Sequence, residues 1–190
     1  LRQNREGVYY EEKSYRTDER SFPTPTGKIE IYSQAYEDVG FDPLPTYLEP
    51  FKSPQGPLWN KLGKTYPLVL ATGTRTVNYN GSQLHNIKSL QDKELHPKAE
   101  IGPKTAAEYG VAHDDDVIIE TDRGWIKMKA HVDERTMEGV VLVPHGWPGE
   151  ANCNRLTDAQ CREPIMGYPQ YKGLLCNIRK AGEPRPARMQ

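Results

Sequence analysis

The sequence predicts a mainly β protein, a small barrel or sandwich with short helices, preceded by a long irregular N-terminal arm. Three observations carry that expectation. From Tyr66 onward, short apolar runs alternate with turn signals. Before it, Pro43, Pro45, Pro50, Pro54 and Pro57 follow one another too closely for a helix or a central strand. The whole chain is 36% hydrophobic, with 16 Gly and 16 Pro among 190 residues, a composition that suits much irregular chain around a modest core, part of it packed on another surface.

Taken in order, residues 1–65 read as an arm or linker, 66–182 as the folded domain and 183–190 as a tail. Within the arm, "GKIEIYSQAYEDVG" alternates Ile29 and Ile31 with charged neighbours. It then offers Ser33 as a helix N-cap and Gly40 as a stop, which reads as a short strand followed by one or two helical turns. "YPLVLATG" is the first buried strand of the domain. "GPKTAAEYGV" follows as a short helix, with Pro103 in its first turn and Gly110 at its stop. Val117–Glu120 and Trp125–Val132 flank the turn Thr121-Asp122-Arg123-Gly124 and form the clearest hairpin. In its second strand Ile126, Met128, Ala130 and Val132 alternate with Lys127, Lys129 and His131, so one face is buried and the other wet. "GVVLVP" and "LLCNIRK" complete the set.

Charge narrows the function. With 25 Lys+Arg against 26 Asp+Glu the formal charge is -1, so neither a nucleic-acid surface nor an acidic tail is indicated. No apolar run is long enough to cross a bilayer. The first residues lack both a starting methionine and the apolar stretch of a signal peptide, so the chain is expected to be a piece of a longer protein, with its compartment unreadable. Cys153, Cys161 and Cys176 form no C-x-x-C pair and read as buried free thiols. The five histidines show no metal-ligand spacing, and no nucleophile or general base can be assembled from spacing, so no catalytic and no metal-binding residue is assigned.

Three polar loops carry what chemistry the pattern offers. The first follows "LVLATG", where the Thr72, Thr74 and Ser82 hydroxyls, the Arg75 fork and the Gln83 and Asn86 amides suit phosphate oxygens and the edge of a heterocycle. It has neither the P-loop nor the Rossmann glycine pattern. The second, "PHGWPGEANCNRLTD", again runs from a buried strand into Gly, His, Trp and paired Asn. In an extended segment Asn152 and Asn154 would present two amides to one ligand, and Trp147 would stack on a ring or serve as a structural tryptophan. The third, "IMGYPQYKGLL", places Tyr171 and Lys172 before the last strand. Taken singly, each of these stretches also reads as a polar surface turn.

Their serial order is more specific than any one of them. "TPTGKIEIYS", "YPLVLATGTR", "IGPKTAAEYGVAHDDDVIIETDRGWIKMKAHV", "GVVLVPHGW", "ANCNRLTD" and "PIMGYPQYKGLLCNIRK" together resemble the C-terminal domain of the molybdopterin oxidoreductases of the dimethyl sulfoxide reductase type, over about Phe22 to Lys180. The resemblance implies a double-psi β-barrel that clasps molybdopterin guanine dinucleotide carrying molybdenum or tungsten. It also implies that Gly73, Thr74, Arg75, Ser82, Gln83, Asn152, Asn154, Tyr171 and Lys172 contact the cofactor. The metal's protein ligand and any iron–sulfur cluster would lie in other domains of the parent enzyme, which are the expected partners together with a candidate electron-transfer subunit. The Arg-then-Ser-Gln loop, "NIKSL" and "LLCNIRK" are similar to the acetylene hydratase group, while the lead-in is shared with thiosulfate and polysulfide reductases. One departure stands out, because the family helix usually carries an Asp where Thr105 or Ala106 stands. A stand-alone double-psi barrel used for protein interaction is the alternative, and it would not need three polar loops on one rim.

Overall fold

The chain was analysed as a computed structural model that describes residues 3–4, 6–7, 22–74, 76, 84–160, 162–163 and 166–184. It divides into two compact units, Leu1–Leu48 and Glu49–Gln190.

In the first unit the only helix among the described residues is α1 (Gln34–Glu37). Ser33 stands at its N-cap without a side-chain capping bond, its N–H donates to Pro43 O at 2.8 Å, and Gly40 ends the turn at φ 83°. The strand expected at Ile29–Ile31 does not form. Both isoleucines are more than 70% exposed, and no described neighbouring strand offers them a ladder.

The second unit is a closed barrel of six strands. They are β1 (Leu68–Thr74), β2 (Lys98–Ile101), β3 (Asp116–Glu120), β4 (Trp125–Val132), β5 (Val140–Pro144) and β6 (Lys172–Lys180), in the spatial order β1-β5-β2-β4-β3-β6. β1 runs parallel to β5 and β2 parallel to β4, while the remaining neighbours are antiparallel. Parallel neighbours need crossover connections, so the barrel has the crossed connectivity expected of a double-psi fold rather than that of a meander. The hairpin keeps its register, with Val117 opposite Met128 and Ile119 opposite Ile126, and Ile126, Met128 and Ala130 point inward as their alternation predicts. The core gathers Leu70, Ile101, Val117, Ile119, Val141, Val143, Cys176 and Ile178, each at most 2% exposed.

β2 is the strand that sequence reading passes over. It is only four residues, two of them charged, yet Ala99 and Ile101 are fully buried and it closes the barrel between β5 and β4. Two further helices, α2 (Trp59–Leu62) and α3 (Lys88–Gln91), are also absent from the sequence-based expectation. α2 forms between Pro57 and Gly63, just beyond the proline run. Gly63 leaves room for the Trp59 ring, whose carbons a Cβ there would meet at 2.7 Å.

The expected helix α4 (Pro103–Glu108) starts at Pro103, and Gly110 sits just beyond it at φ 63°. Its N-cap, Gly102, has no side chain to offer. Glu138 supplies the cap from just before the neighbouring strand β5, accepting Lys104 N–H at 3.1 Å, Thr105 N–H at 2.7 Å and the Thr105 hydroxyl at 2.7 Å. These bonds hold the Glu138 carboxyl below its ordinary range. In "HDDD", Asp115 pairs with Lys180 at 2.8 Å and Asp116 with Lys129 at 2.8 Å and Lys127 at 3.2 Å. No helix among the described residues is long and apolar enough to cross a membrane.

Candidate functional site

Strand order decides where the loops go. Because β1 and β5 are parallel neighbours, with Thr72 opposite Val143 and Thr74 opposite Pro144, their carboxyl ends lie side by side. The chain beyond each must leave from the same end of the barrel. β6 is antiparallel to β1 and starts there, Lys172 facing Ala71. Thr72 fixes that entry with two bonds to the Tyr171 carbonyl, from its N–H at 2.9 Å and its hydroxyl at 3.1 Å. Three segments distant in sequence therefore meet around one cleft of about 920 Å³.

The cleft is built for close approach to main chain. Between Thr72 and Thr74 the β1–β5 register shifts, and Gly73 takes φ 91°; Gly146, after β5, takes φ 86°. Only glycine adopts such values cheaply, and both positions leave the backbone without a Cβ over it. His145 and Gly146 continue β5 directly into the wall. His85 and Trp147 lie with ring centroids 4.6 Å apart at 48°, an aromatic pair in the cleft lining, and Trp147 also packs on the core.

The second loop differs from its expected form. Asn152 and Asn154 are not in one extended segment, because Cys153–Arg155 closes into a 3-10 turn. The cause is local: the Asn152 side-chain oxygen caps that turn by accepting Asn154 N–H at 3.1 Å. Both asparagines still line the cleft, and the capping oxygen leaves the Asn152 amide N–H groups as what it can offer a ligand. Cys153, between them, is buried, and burial pushes its thiol pKa up, so it is a packed group rather than a reactive one. Cys176 is a buried free thiol as well, while Cys161 lies outside the described residues.

This loop rests on the hairpin turn. The buried Thr121 hydroxyl donates to Leu156 O at 3.0 Å, and the Arg155 guanidinium lies 4.9 Å from the centre of the Trp125 ring. Gly124 is required there, since a Cβ would stand 2.7 Å from Arg155 O.

Of the residues singled out from sequence, Gly73, Asn152, Asn154, Tyr171 and Lys172 line the cleft together. Thr74 faces a neighbouring pocket of about 240 Å³, which it shares with Lys98, His131 and Arg135. Arg75, Ser82 and Gln83 lie outside the described residues. The structure adds His85, His145, Gly146 and Cys153 to the lining. His145 and Gly146 had a signal in the sequence, a polar pair at the end of a buried strand, whereas His85 had none beyond its place in the first loop.

A closed barrel whose loops gather over one large cleft has the form in which proteins hold small molecules and cofactors. The family follows from comparison with known proteins. Residues 68–175 match the molydopterin dinucleotide binding domain, and the chain belongs to that family. It is 37% identical over 123 residues to acetylene hydratase of Syntrophotalea acetylenica, covering 65% of this chain and 17% of the relative. It is 34% identical over 168 residues to a dimethyl sulfoxide reductase of Escherichia coli (strain K12), covering 82% of this chain and 20% of the relative. Among solved structures, acetylene hydratase from Pelobacter acetylenicus superposes with a TM-score of 0.75 at 29% identity, over 88% of this chain and 25% of that one. The chain thus spans about a fifth of the length of these curated relatives.

Proposed function

We propose that the cleft clasps molybdopterin guanine dinucleotide within a longer molybdenum- or tungsten-dependent oxidoreductase. The observation that supports this reading most is the convergence of the segments after β1, after β5 and before β6 on one cleft. The residues present suit such a ligand. Gly73 and Gly146 open main-chain N–H groups to phosphate oxygens, Lys172 supplies positive charge, and the Asn152 and Asn154 amides match the donors and acceptors of a fused heterocycle. A Cβ at Gly73 would point toward His145, 3.5 Å from its Nδ1, and so would cover that main chain. Thr74, Arg75, Ser82, Gln83 and Tyr171 complete the proposed contacts.

When bound, the pterin dithiolenes and their metal supply the reaction, and this chain supplies burial, orientation and hydrogen bonds. The division proposed is an arm over 1–65, the dinucleotide-binding barrel over 66–182 and a tail over 183–190, with residues 49–65 packed into the barrel's own compact unit. We place the metal's protein ligand, any iron–sulfur cluster and the contact with an electron-transfer subunit in other domains. The similarity to acetylene hydratase favours that group of the family. Metal analysis of the purified enzyme distinguishes tungsten from molybdenum.

The test is made in the longer enzyme. Asn154→Ala and Arg75→Ala should each lower the pterin dinucleotide retained after desalting, read from the fluorescence of the oxidised pterin, while the melting temperature of the apo protein is unchanged. Full retention in both variants would show that these loops do not hold the cofactor.

A further inference from the structure

Lys52 stands in the proline-rich arm, where sequence reading assigned no role. Its side chain is only 5% exposed. The ammonium lies 2.9 and 2.7 Å from the two carboxylate oxygens of Asp122 and 3.1 Å from Asp158 Oδ2, and Arg123 Nε approaches Asp158 at 3.7 Å. Burial alone would lower the Lys52 pKa, but the two carboxylates outweigh it and hold the ammonium charged. Asp122 is in the hairpin turn, and Asp158 ends the loop that carries Asn152 and Asn154. The same residue reaches the third rim segment through its backbone. Lys52 N–H donates to Gln170 Oε1 at 3.4 Å, and the Gln170 amide donates to the Lys172 and Gly173 carbonyls at 3.1 and 3.2 Å.

The chain bends tightly to bring Lys52 in. Ser53 N–H donates to Pro50 O and Gly56 N–H to Ser53 O, and a Cβ at Gly56 would fall 2.4 Å from Pro50 O, so only glycine allows this fold of the arm. Asp158 in turn accepts Gln160 N–H at 2.9 Å, a bond that together with Lys52 holds its carboxyl below the ordinary range. A buried ammonium between two carboxylates is weak evidence of a gain in stability, since an apolar cluster of similar volume often does as well; what these bonds do show is that one side chain joins Asp122 to Asp158.

We propose that Lys52 is a positioning residue for the cofactor cleft, an internal latch that ties the asparagine loop to the hairpin turn and to the start of β6. The proposal rests on the reading of the cleft given above. It makes residues 50–56 of the arm part of the clasp, although they do not line the cleft.

The experiment compares wild type, Lys52→Met and Lys52→Arg in the longer enzyme by hydrogen exchange and by pterin retention after desalting. In Lys52→Met, exchange of peptides covering 152–160 should be roughly tenfold faster, with β3 and β6 protected as in wild type. Pterin retention should fall at the same time, and Lys52→Arg, which keeps the charge, should recover both. If Lys52→Met does not fold, Asp122→Asn removes one carboxylate at the more exposed turn and is judged by the same readouts. Unchanged exchange at 152–160 would overturn the proposal. So would a uniform loss of protection across the barrel, which would make Lys52 a stabilising pair and nothing more, or a loosened loop with undiminished retention. If wild type itself carried no pterin dinucleotide, the functional reading would have failed, and exchange at 152–160 would still decide whether Lys52 holds the loop.

Discussion

Replacing Gly73 by alanine separates the backbone requirement of the cleft from ordinary stability. Its φ of 91° lies in the region that side chains disfavour, while the added Cβ would meet nothing closer than His145 Nδ1 at 3.5 Å, an ordinary contact. The penalty is therefore conformational rather than steric, about 1–2 kcal/mol. Gly110, at φ 63° with nothing within 4 Å of its Cβ, carries a penalty of the same kind and lies outside the cleft lining. Each variant should lower the melting temperature by roughly 2–8 °C, from about 2–4 °C per kcal/mol for a domain near this size. Gly73 sits at the irregularity between Thr72 and Thr74, so Gly73→Ala puts both its backbone strain and its methyl group, beside His145, in the cleft wall. In the longer enzyme it should lose most of its retained pterin, while Gly110→Ala keeps the wild-type amount. Equal retention in the two variants, or no stability loss in either, would refute the reasoning.

Thr121→Val removes the hydroxyl that supports Leu156 O and should cost about 1–2 kcal/mol in urea unfolding, with faster exchange at 152–160. Ile119→Ala opens a cavity in the fully buried core and should cost about 2–5 kcal/mol by the same assay. Cys153 and Cys176 should resist alkylation until the protein is denatured, since burial both shields them and raises their thiol pKa; fast labelling of native protein would contradict the packing. Asp115, Asp116, Asp133, Asp158 and Glu138 all have carboxyl pKa values lowered by folding, chiefly through hydrogen bonds, so their stabilisation is complete above the unfolded values near 4 and is lost as pH falls through the folded ones. Lys52 has its pKa raised, which puts its own loss at high pH, above about 10. Unfolding free energy should therefore be flat from about pH 5 to 9 as far as these groups decide it, and decline in acid below the unfolded carboxyl values near 4, modestly because solvent screens these groups.

Much of the barrel was legible because its strands follow simple rules. The alternation from Ile126 to Val132 and the Thr121–Gly124 turn are local, and local signals survive folding unchanged. β2 was not legible, because four residues with Lys98 and Glu100 among them carry no period that stands above noise; what makes them a strand is the pair of neighbours, β4 and β5, that a linear reading cannot see. The Ile29–Ile31 stretch fails for the mirror reason: its alternation is adequate and its partner is missing among the described residues. Glu138 capping α4 belongs with β2, since the departure at Thr105 was visible while the carboxylate that Thr105 meets lies 33 residues away. At the cleft, strand ends running into Gly and polar residues pointed to Gly73, Asn152 and Lys172, which line it, and understated His145 and Gly146, which line it too.

The same contrast explains why the cleft and its support differ in visibility. Lining residues are recognisable by type, as glycines at strand ends, amides and a lysine, because each carries its own backbone or hydrogen-bonding character in the sequence. Supporting residues are selected by what lies opposite in space. Lys52 in a proline-rich arm, Asp122 in a turn and Asp158 beyond the asparagines are each unremarkable in sequence, and only the barrel closure brings the three together. Parallel pairing of β1 with β5 has the same character: were that pair antiparallel, the loop carrying Asn152 would start at the opposite end of the barrel from Gly73, with every residue unchanged. The site is therefore a property of strand order first and of residue type second, and substitutions that loosen Asp122 or Asp158 should impair the clasp without touching any residue that lines it.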